Sequence, residues 1–215
     1  MKFALPSGTL CLALILQAGT ALATPLVTES VVNTVTMVSA PFGGTLLASA
    51  SSVISNLSYN GIARTAVYDT GTGLDFYYQY TNDISSVNGI ERFTGYNFTS
   101  LGATSVVDVY QTGAAFGIFT AGTETADGAD RTALGVIGFS FIPNGHSKIN
   151  PGTTSYTEII RTDARAYTTG NFGLLDGIGD NARGFAPAAV PEPGTLSLAM
   201  AGLLGVGFMA RRRGR

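Results

Sequence analysis

Tryptophan is absent from this chain of 215 residues, and cysteine and histidine occur once each. Without Trp the broadest platform for stacking a sugar ring is missing, although nine tyrosines supply smaller ones. The single cysteine, Cys11, lies inside an apolar N-terminal run. Removal of that run leaves no thiol, which excludes disulfides, thiolate nucleophiles and Cys-ligated zinc from the remainder. A lipid-modified Cys11 is disfavoured, because the residue falls near the start of the run and not after it. The single histidine, His146, sits in the loop segment Pro143-Asn144-Gly145-His146-Ser147-Lys148. One imidazole cannot supply the two or three that a histidine zinc site uses. A Ser-His-Asp triad would have to recruit it, yet no Gly-x-Ser-x-Gly elbow occurs. His146 therefore reads as a solvated loop side chain.

Cationic residues are also scarce, and their distribution matters more than their number. Lys2, Arg211, Arg212, Arg213 and Arg215 lie in the two terminal segments. Between Thr24 and Pro193 seven cations face fourteen carboxylates, a formal charge of −7. A phosphate backbone is repelled by such a surface, and no basic stripe exists to neutralise it, so a nucleic-acid partner is not expected.

What the chain does have is alternation. In Leu74–Thr81 the residues Leu74, Phe76, Tyr78 and Tyr80 fall on one face and Asp75, Tyr77, Gln79 and Thr81 on the other, the pattern of a half-buried strand. Comparable runs occur at Val31–Val38, Ile62–Tyr68, Ile90–Phe98, Ser105–Tyr110, Ala115–Thr120, Leu134–Phe141 and Ser155–Thr162. The run Leu134–Phe141 is almost continuously apolar and predicts a central strand buried on both faces. Turn clusters such as Asp69-Thr70-Gly71-Thr72-Gly73 separate the runs. Many short strands with no amphipathic helix predict an all-β fold, an antiparallel β-sandwich of jelly-roll or Ig-like type.

Chemistry-bearing constellations are few. Two carboxylates from distant strands could meet at a glycosidase separation of about 5 to 10 Å, which sequence alone cannot show. Glu124-Thr125-Ala126-Asp127-Gly128-Ala129-Asp130 and Asp176-Gly177-Ile178-Gly179-Asp180-Asn181 cluster oxygens around glycines, so calcium at Asp127 and Asp130 or at Asp176 and Asp180 is one reading. Neither has the twelve-residue helix–loop–helix spacing, and acidic turn chemistry is the expected reading. Asn56-Leu57-Ser58 and Asn97-Phe98-Thr99 match a glycosylation acceptor.

Both ends carry export features. Met1-Lys2, the apolar run Leu10–Leu16 and the small-x-small site Ala21-Leu22-Ala23 predict a signal peptide over residues 1–23, routed by Sec-type export machinery. At the other end a proline-rich linker, 187–194, leads to an uncharged segment, Thr195–Ala210, and then to a basic tail over 211–215. As a helix the segment would measure about 24 Å, short of the ~30 Å hydrocarbon core, which suits a transient inner-membrane anchor. Ala199, Ala201, Gly202, Gly205 and Gly207 would let another transmembrane helix approach closely. The arginines Arg211, Arg212, Arg213 and Arg215 set the topology, being retained on the cytoplasmic side. The body, 24–186, is then outside.

The succession Val190-Pro191-Glu192-Pro193, glycine-bearing apolar segment and terminal arginine cluster resembles the PEP-CTERM sorting signal of Gram-negative bacteria. By that resemblance Pro191, Glu192 and Pro193 are read by exosortase, an integral-membrane cysteine protease or transpeptidase. Two prolines fix φ and withdraw backbone donors, so the motif stays extended as a protease substrate must. A second set of segments, among them Phe139-Ser140-Phe141, Pro151-Gly152-Thr153-Thr154-Ser155, Ile159-Ile160-Arg161-Thr162-Asp163-Ala164 and Phe185-Ala186-Pro187, is similar to the ectodomain pattern of one PEP-CTERM subgroup. That subgroup carries no assigned activity. The scarcity of catalytic constellations leads to the expectation of a non-enzymatic surface or matrix protein, and the resemblance implies an exopolysaccharide and biofilm setting. An extracellular polysaccharide hydrolase and a permanently anchored periplasmic binding domain are the alternatives.

The exported product should begin at Thr24, lack cysteine and melt at the same temperature with or without reductant. Intact mass of the exported protein checks this, and an N-terminus still at Met1 in cells would refute it.

Overall fold

A computed structural model describes residues 23–189, apart from 96, 103, 104, 106 and 143–147. Thirteen strands follow one another: β1 (Thr24–Leu26), β2 (Ser30–Val32), β3 (Thr36–Met37), β4 (Thr45–Ser55), β5 (Asn60–Asp69), β6 (Leu74–Asn82), β7 (Arg92–Gly95), β8 (Val107–Thr112), β9 (Gly128–Arg131), β10 (Ile137–Ser140), β11 (Thr157–Arg161), β12 (Tyr167–Asp176) and β13 (Ile178–Pro187). The described helical content is one 3₁₀ turn, Phe98–Leu101. The signal and C-terminal helices anticipated from sequence lie outside the described residues.

The strands form two sheets. The first runs β1-β8-β11-β6-β5-β4, with β3 joining β8 on the edge it shares with β1; the second runs β13-β12-β7-β10-β9-β2. Every pairing is antiparallel except the two-residue contact of β3 with β8, which is parallel. The fold is all-β and consistent with the expected sandwich. The single run anticipated at Val31–Val38 is divided: β2 pairs with β9 in the second sheet and β3 with β8 in the first. The chain changes sheets between them.

Aromatic rings fill the space between the sheets. Tyr78 of β6 meets Phe172 of β12 at 5.2 Å. Phe172 meets Phe93 at 5.0 Å and nearly perpendicular, and Phe93 packs on Phe139 and Phe141 at 5.7 and 5.1 Å. Edge-to-face contacts of this kind add to the area that the rings remove from water. The Tyr78 hydroxyl donates to the Phe185 carbonyl of β13 at 2.5 Å, so the buried phenol has a partner.

Two expectations about burial are corrected together. β6 is not half-buried: Leu74, Phe76, Tyr78 and Tyr80 enter the inter-sheet core, while Tyr77 on the opposite face joins a second cluster with Ala66, Tyr110, Phe119 and Ile159. Its cover is the segment expected as a strand at Ala115–Thr120. That segment instead forms a tight turn in which Phe116 and Phe119 exchange backbone hydrogen bonds and both rings lean on Tyr77. Gln79 holds the cover in place, its amide donating to the Thr120 carbonyl at 2.7 Å and accepting from the Thr120 N–H at 3.0 Å.

The strand expected over Leu134–Phe141 begins only at Ile137. Leu134 stands 77 % exposed on the turn before it. Ile137 and Phe139 enter the core, and Gly138 on the other face lies under Arg92, whose Nη2 would be 1.8 Å from an added Cβ. A side chain at 138 would evict the guanidinium.

Glu158 of β11 has no signal in the sequence. It lies on the same strand face as the core residue Ile160, fully buried, with Tyr78 and Gln111 opposite on the flanking strands. Neither turns a polar group to it. The Tyr78 hydroxyl is committed to Phe185, and the Gln111 amide to Val35, to the Ala126 carbonyl and to the Ala126 N–H. Both carboxyl oxygens are unpartnered. Burial therefore pushes the Glu158 carboxyl well above its ordinary value of 4.5, so the native state holds it as the neutral acid.

The sign of the linkage follows. Above 4.5 the unfolded chain ionises Glu158 while the native state keeps the proton, so stability falls as pH rises toward the native pKa, by up to about 1.4 kcal/mol per pH unit. Glu158→Gln should remove this slope and raise the urea midpoint more at about pH 8 than at about pH 5. Equal shifts at both pH values would refute a neutral Glu158.

Candidate functional site

The sorting motif Pro191, Glu192 and Pro193 and the arginines Arg211, Arg212, Arg213 and Arg215 lie outside the described residues, as do Ala21 and His146. The places where the fold meets these segments are described. Ala23 is exposed and immediately precedes β1, whose first residue, Thr24, pairs with Val109. Thr24 Oγ1 also contacts Thr36 Oγ1 at 2.5 Å and accepts from the Thr36 N–H at 3.2 Å. The fold thus engages the chain from the first residue after the expected cleavage point.

The C-terminal junction is held more firmly. Pro187, the first residue of the expected linker, is still in β13, buried and opposite Tyr167. Its carbonyl accepts from Ser100 Oγ at 2.8 Å, and the Ala188 N–H donates to the Ala166 carbonyl at 2.9 Å. Proline is tolerated here because β13 is an edge strand and a missing donor costs no ladder bond on its open side. Two residues, Ala189 and Val190, separate Ala188 from Pro191, a span of at most about 11 Å in extended chain. A protease acting at the motif must work beside this end of the sandwich.

The four acidic positions weighed for calcium are distributed differently from the loops expected. Gly128–Arg131 is a strand, and both oxygens of Asp130 receive the Arg92 guanidinium, at 2.5 and 2.9 Å. Asp176-Gly177-Ile178 is the reversal of the β12–β13 hairpin, made possible by a φ of +65° at Gly177. Asp176 accepts from Ser58 Oγ at 2.8 Å and lies 3.7 Å from Lys148 Nζ, which also bonds Glu91 at 2.5 Å. Glu91 accordingly raises the Lys148 ammonium above its usual value. Asp180 accepts from Asn56 Nδ2 at 3.4 Å. Ion pairs and hydrogen bonds thus engage Asp130, Asp176 and Asp180. Among the described residues no three His, Cys, Asp or Glu side chains converge as metal ligands.

Two shallow recesses flank the Arg92–Asp130 pair on the outward face of the second sheet. One, of about 300 Å³, is bounded by Arg92, Thr94, Gly173, Asp180 and Asn181; the other, of about 110 Å³, by Val31, Asp127, Asp130, Ser140 and Ile142. Inward positions of the same strands are occupied by Phe93, Phe139 and Phe172. The alternation that fills the core therefore leaves small and polar residues to floor the recesses. Their linings mix hydrogen-bonding groups with apolar ones, Leu175 in the first and Val31 and Ile142 in the second. Sequence reasoning missed this pairing, since Arg92 and Asp130 are far apart in the chain and meet only through the β7-β10-β9 order.

A second bidentate pair lies on the outer face of the first sheet. Arg161 donates through Nε and Nη2 to the fully buried Asp75 at 3.0 and 2.8 Å, and the Phe42 ring covers the guanidinium at 3.7 Å. Burial raises the Asp75 carboxyl, and Arg161 pulls it back. This pair anchors β11 to β6, which makes it a structural element.

Among the described residues no helix is long and apolar enough to cross a membrane. Comparison with curated proteins gives no match, and comparison with solved structures gives none. The family model of the PEP-CTERM protein-sorting motif matches residues 189–213, beginning one residue after the last backbone hydrogen bond of the fold. The match, placed directly after β13, identifies the chain as a protein carrying a C-terminal PEP-CTERM sorting motif, which indicates an exported protein sorted by exosortase.

Proposed function

We propose that the chain is a non-enzymatic surface or extracellular-matrix protein whose β-sandwich is the cargo and whose C-terminal segment is the address. The observation that carries this reading is the match of the sorting motif to residues 189–213, directly after β13 and the Ala188–Ala166 hydrogen bond. Thr195–Ala210 serves as a transient inner-membrane anchor, and Arg211, Arg212, Arg213 and Arg215 hold the tail in the cytoplasm until exosortase acts near Pro191-Glu192-Pro193. The hydroxyl, amide and charged groups around Arg92 suit a hydroxyl-rich polymer, in keeping with an exopolysaccharide or biofilm setting.

An extracellular polysaccharide hydrolase is the second reading, favoured by one observation: Asp127 and Asp130 line the same recess. Release of reducing ends from exopolysaccharide by the purified product, lost in Asp127→Asn, would establish it and overturn the non-enzymatic reading. A third reading, the permanently anchored periplasmic domain, requires that the exported protein retain Arg211–Arg215.

Changing Pro191-Glu192-Pro193 to Ala-Ala-Ala should leave the melting temperature of the body unchanged, because its bonded strands end at Pro187 and Ala188. The variant should accumulate in the inner membrane, heavier than the wild-type product by the uncleaved C-terminal segment. Membrane fractionation with intact mass measurement decides, and identical mass and location for the two proteins would end the sorting reading.

A further inference from the structure

Four edges bound the two sheets, and three of them carry features that discourage strand addition. On the first sheet, β1 has three residues including Pro25, and β3, beside it, has two. On the second, β2 has three residues, and β13, though ten residues long, carries Asp180, Arg183 and Pro187. Short length, charge and proline are the devices by which sheet edges avoid pairing with other chains. The remaining edge is β4.

β4 has none of those devices. Its eleven residues, Thr-Leu-Leu-Ala-Ser-Ala-Ser-Ser-Val-Ile-Ser, contain neither a charge nor a proline. β5 pairs with it on one side, and among the described residues no backbone hydrogen bond joins it to anything on the other. β13 of the second sheet packs beneath β4, where Ala48 and Ala50 face the core, and side-chain bonds reach this edge near its ends. The Tyr167 hydroxyl donates to the Leu47 carbonyl at 3.4 Å, and Asn56, just past the strand, meets Asp180 at 3.4 Å. Between them the residues Ala48, Ser49, Ala50, Ser51 and Ser52 carry only small side chains.

Exposed apolar residues mark the same edge. Val53 is 81 % exposed, Leu57 in the turn that follows is 91 % exposed, and Leu46 and Leu47 are exposed at the opposite end. That turn is not loose. Asn56 Oδ1 accepts from the N–H groups of Ser58 and Tyr59, and the Ser58 carbonyl accepts from Val87 and Asn88. A rigid backbone therefore holds Leu57 in water.

We propose that β4 is a docking edge for a second copy of this chain, paired antiparallel about a two-fold axis at Ser51. The arrangement is self-complementary. It sets Ala48 opposite the partner's Ile54, Ser49 opposite the partner's Val53 and Ser51 opposite itself, with no charge to repel across the axis. It also brings Leu46 and Leu47 of each copy beside the partner's Leu57, covering the apolar residues at both ends. A bulge at Leu47, where the β4–β5 register shifts, limits the new ladder to Ala48–Ile54. The first sheet of each copy then continues into that of the other.

The test uses the exported wild-type product and three variants. Wild type should sediment as a concentration-dependent monomer–dimer mixture. Ser51→Lys, which opposes two ammonium groups at the axis, should remain monomeric throughout with an unchanged melting temperature. Ile84→Lys, at a loop residue 80 % exposed but away from the strand, should behave as wild type. Ser51→Cys in a Cys11→Ser background should form a dimer-sized, reductant-sensitive band on mild oxidation, which reads the pairing even if Ser51→Lys fails to fold. A wild-type product monomeric at every concentration, dimerisation undiminished in a folded Ser51→Lys, or no cross-link through Cys at 51 would each overturn the proposal.

Discussion

The hydrogen bond from the Tyr78 hydroxyl to the Phe185 carbonyl ties the middle of one sheet to the last strand of the other. Tyr78 stands on β6, flanked by β5 and β11, and its ring occupies the space where the aromatic residues of the second sheet converge. A tyrosine is required there for two reasons. The ring supplies the bulk that separates the sheets, and the hydroxyl satisfies a carbonyl on an edge strand that lacks a neighbour on one side. Burial drives the phenol far above its ordinary range, so it remains a neutral donor at neutral pH.

Several polar groups inside the fold follow one rule, and Glu158, like the hydroxyls of Thr65, Tyr80 and Thr157, departs from it. Asp75, Gln79, Asn82 and Gln111 are buried, and each binds a backbone or side-chain partner that joins separate segments. They act as clasps: Gln79 fastens the aromatic cover, Gln111 fastens the Val35 and Ala126 crossings, and Asn82 fastens the Asn88 and Ile149 loops. Glu158 fastens nothing and stays neutral at a cost the surrounding core absorbs. Buried carboxyls of this kind reduce stability where they are, so the aromatic packing must exceed what the fold alone would need.

The legibility of these features in the sequence depended on how local their signals are. The alternation Leu74–Tyr80 correctly placed β6 and its inward face, because period-two patterning is written in neighbouring residues. The burial of the outward face was hidden, since its cover comes from Phe116 and Phe119 some forty residues later, and a tight aromatic turn has the same composition as a short strand. The long hairpin β12–β13 escaped notice because Gly170, Gly173, Gly179 and Gly184 read as turn signals, although inside the sheet Gly170 and Gly184 permit close approach of the paired strand. β4 escaped because a strand of alanine and serine has no hydrophobic contrast. Arg92 and Asp130 were visible as residues but not as a pair. The sorting motif was the most readable feature because a protease reads an extended segment, and such a signal is linear by nature.

The hairpin β12–β13 supplies the final ten residues of the body. A chain that crosses a membrane from its N-terminus delivers this strand last, after every partner that it must join is already outside. Until β13 arrives, Phe172 and the hydroxyl of Tyr78 have an open flank, and the core between the sheets cannot close. The next few residues to emerge belong to the sorting segment. Closure of the fold and arrival of the address at the membrane are therefore nearly one event, and the strand works as a clock. A body unable to seat β13 would present its aromatic core to solvent just as the sorting segment follows it.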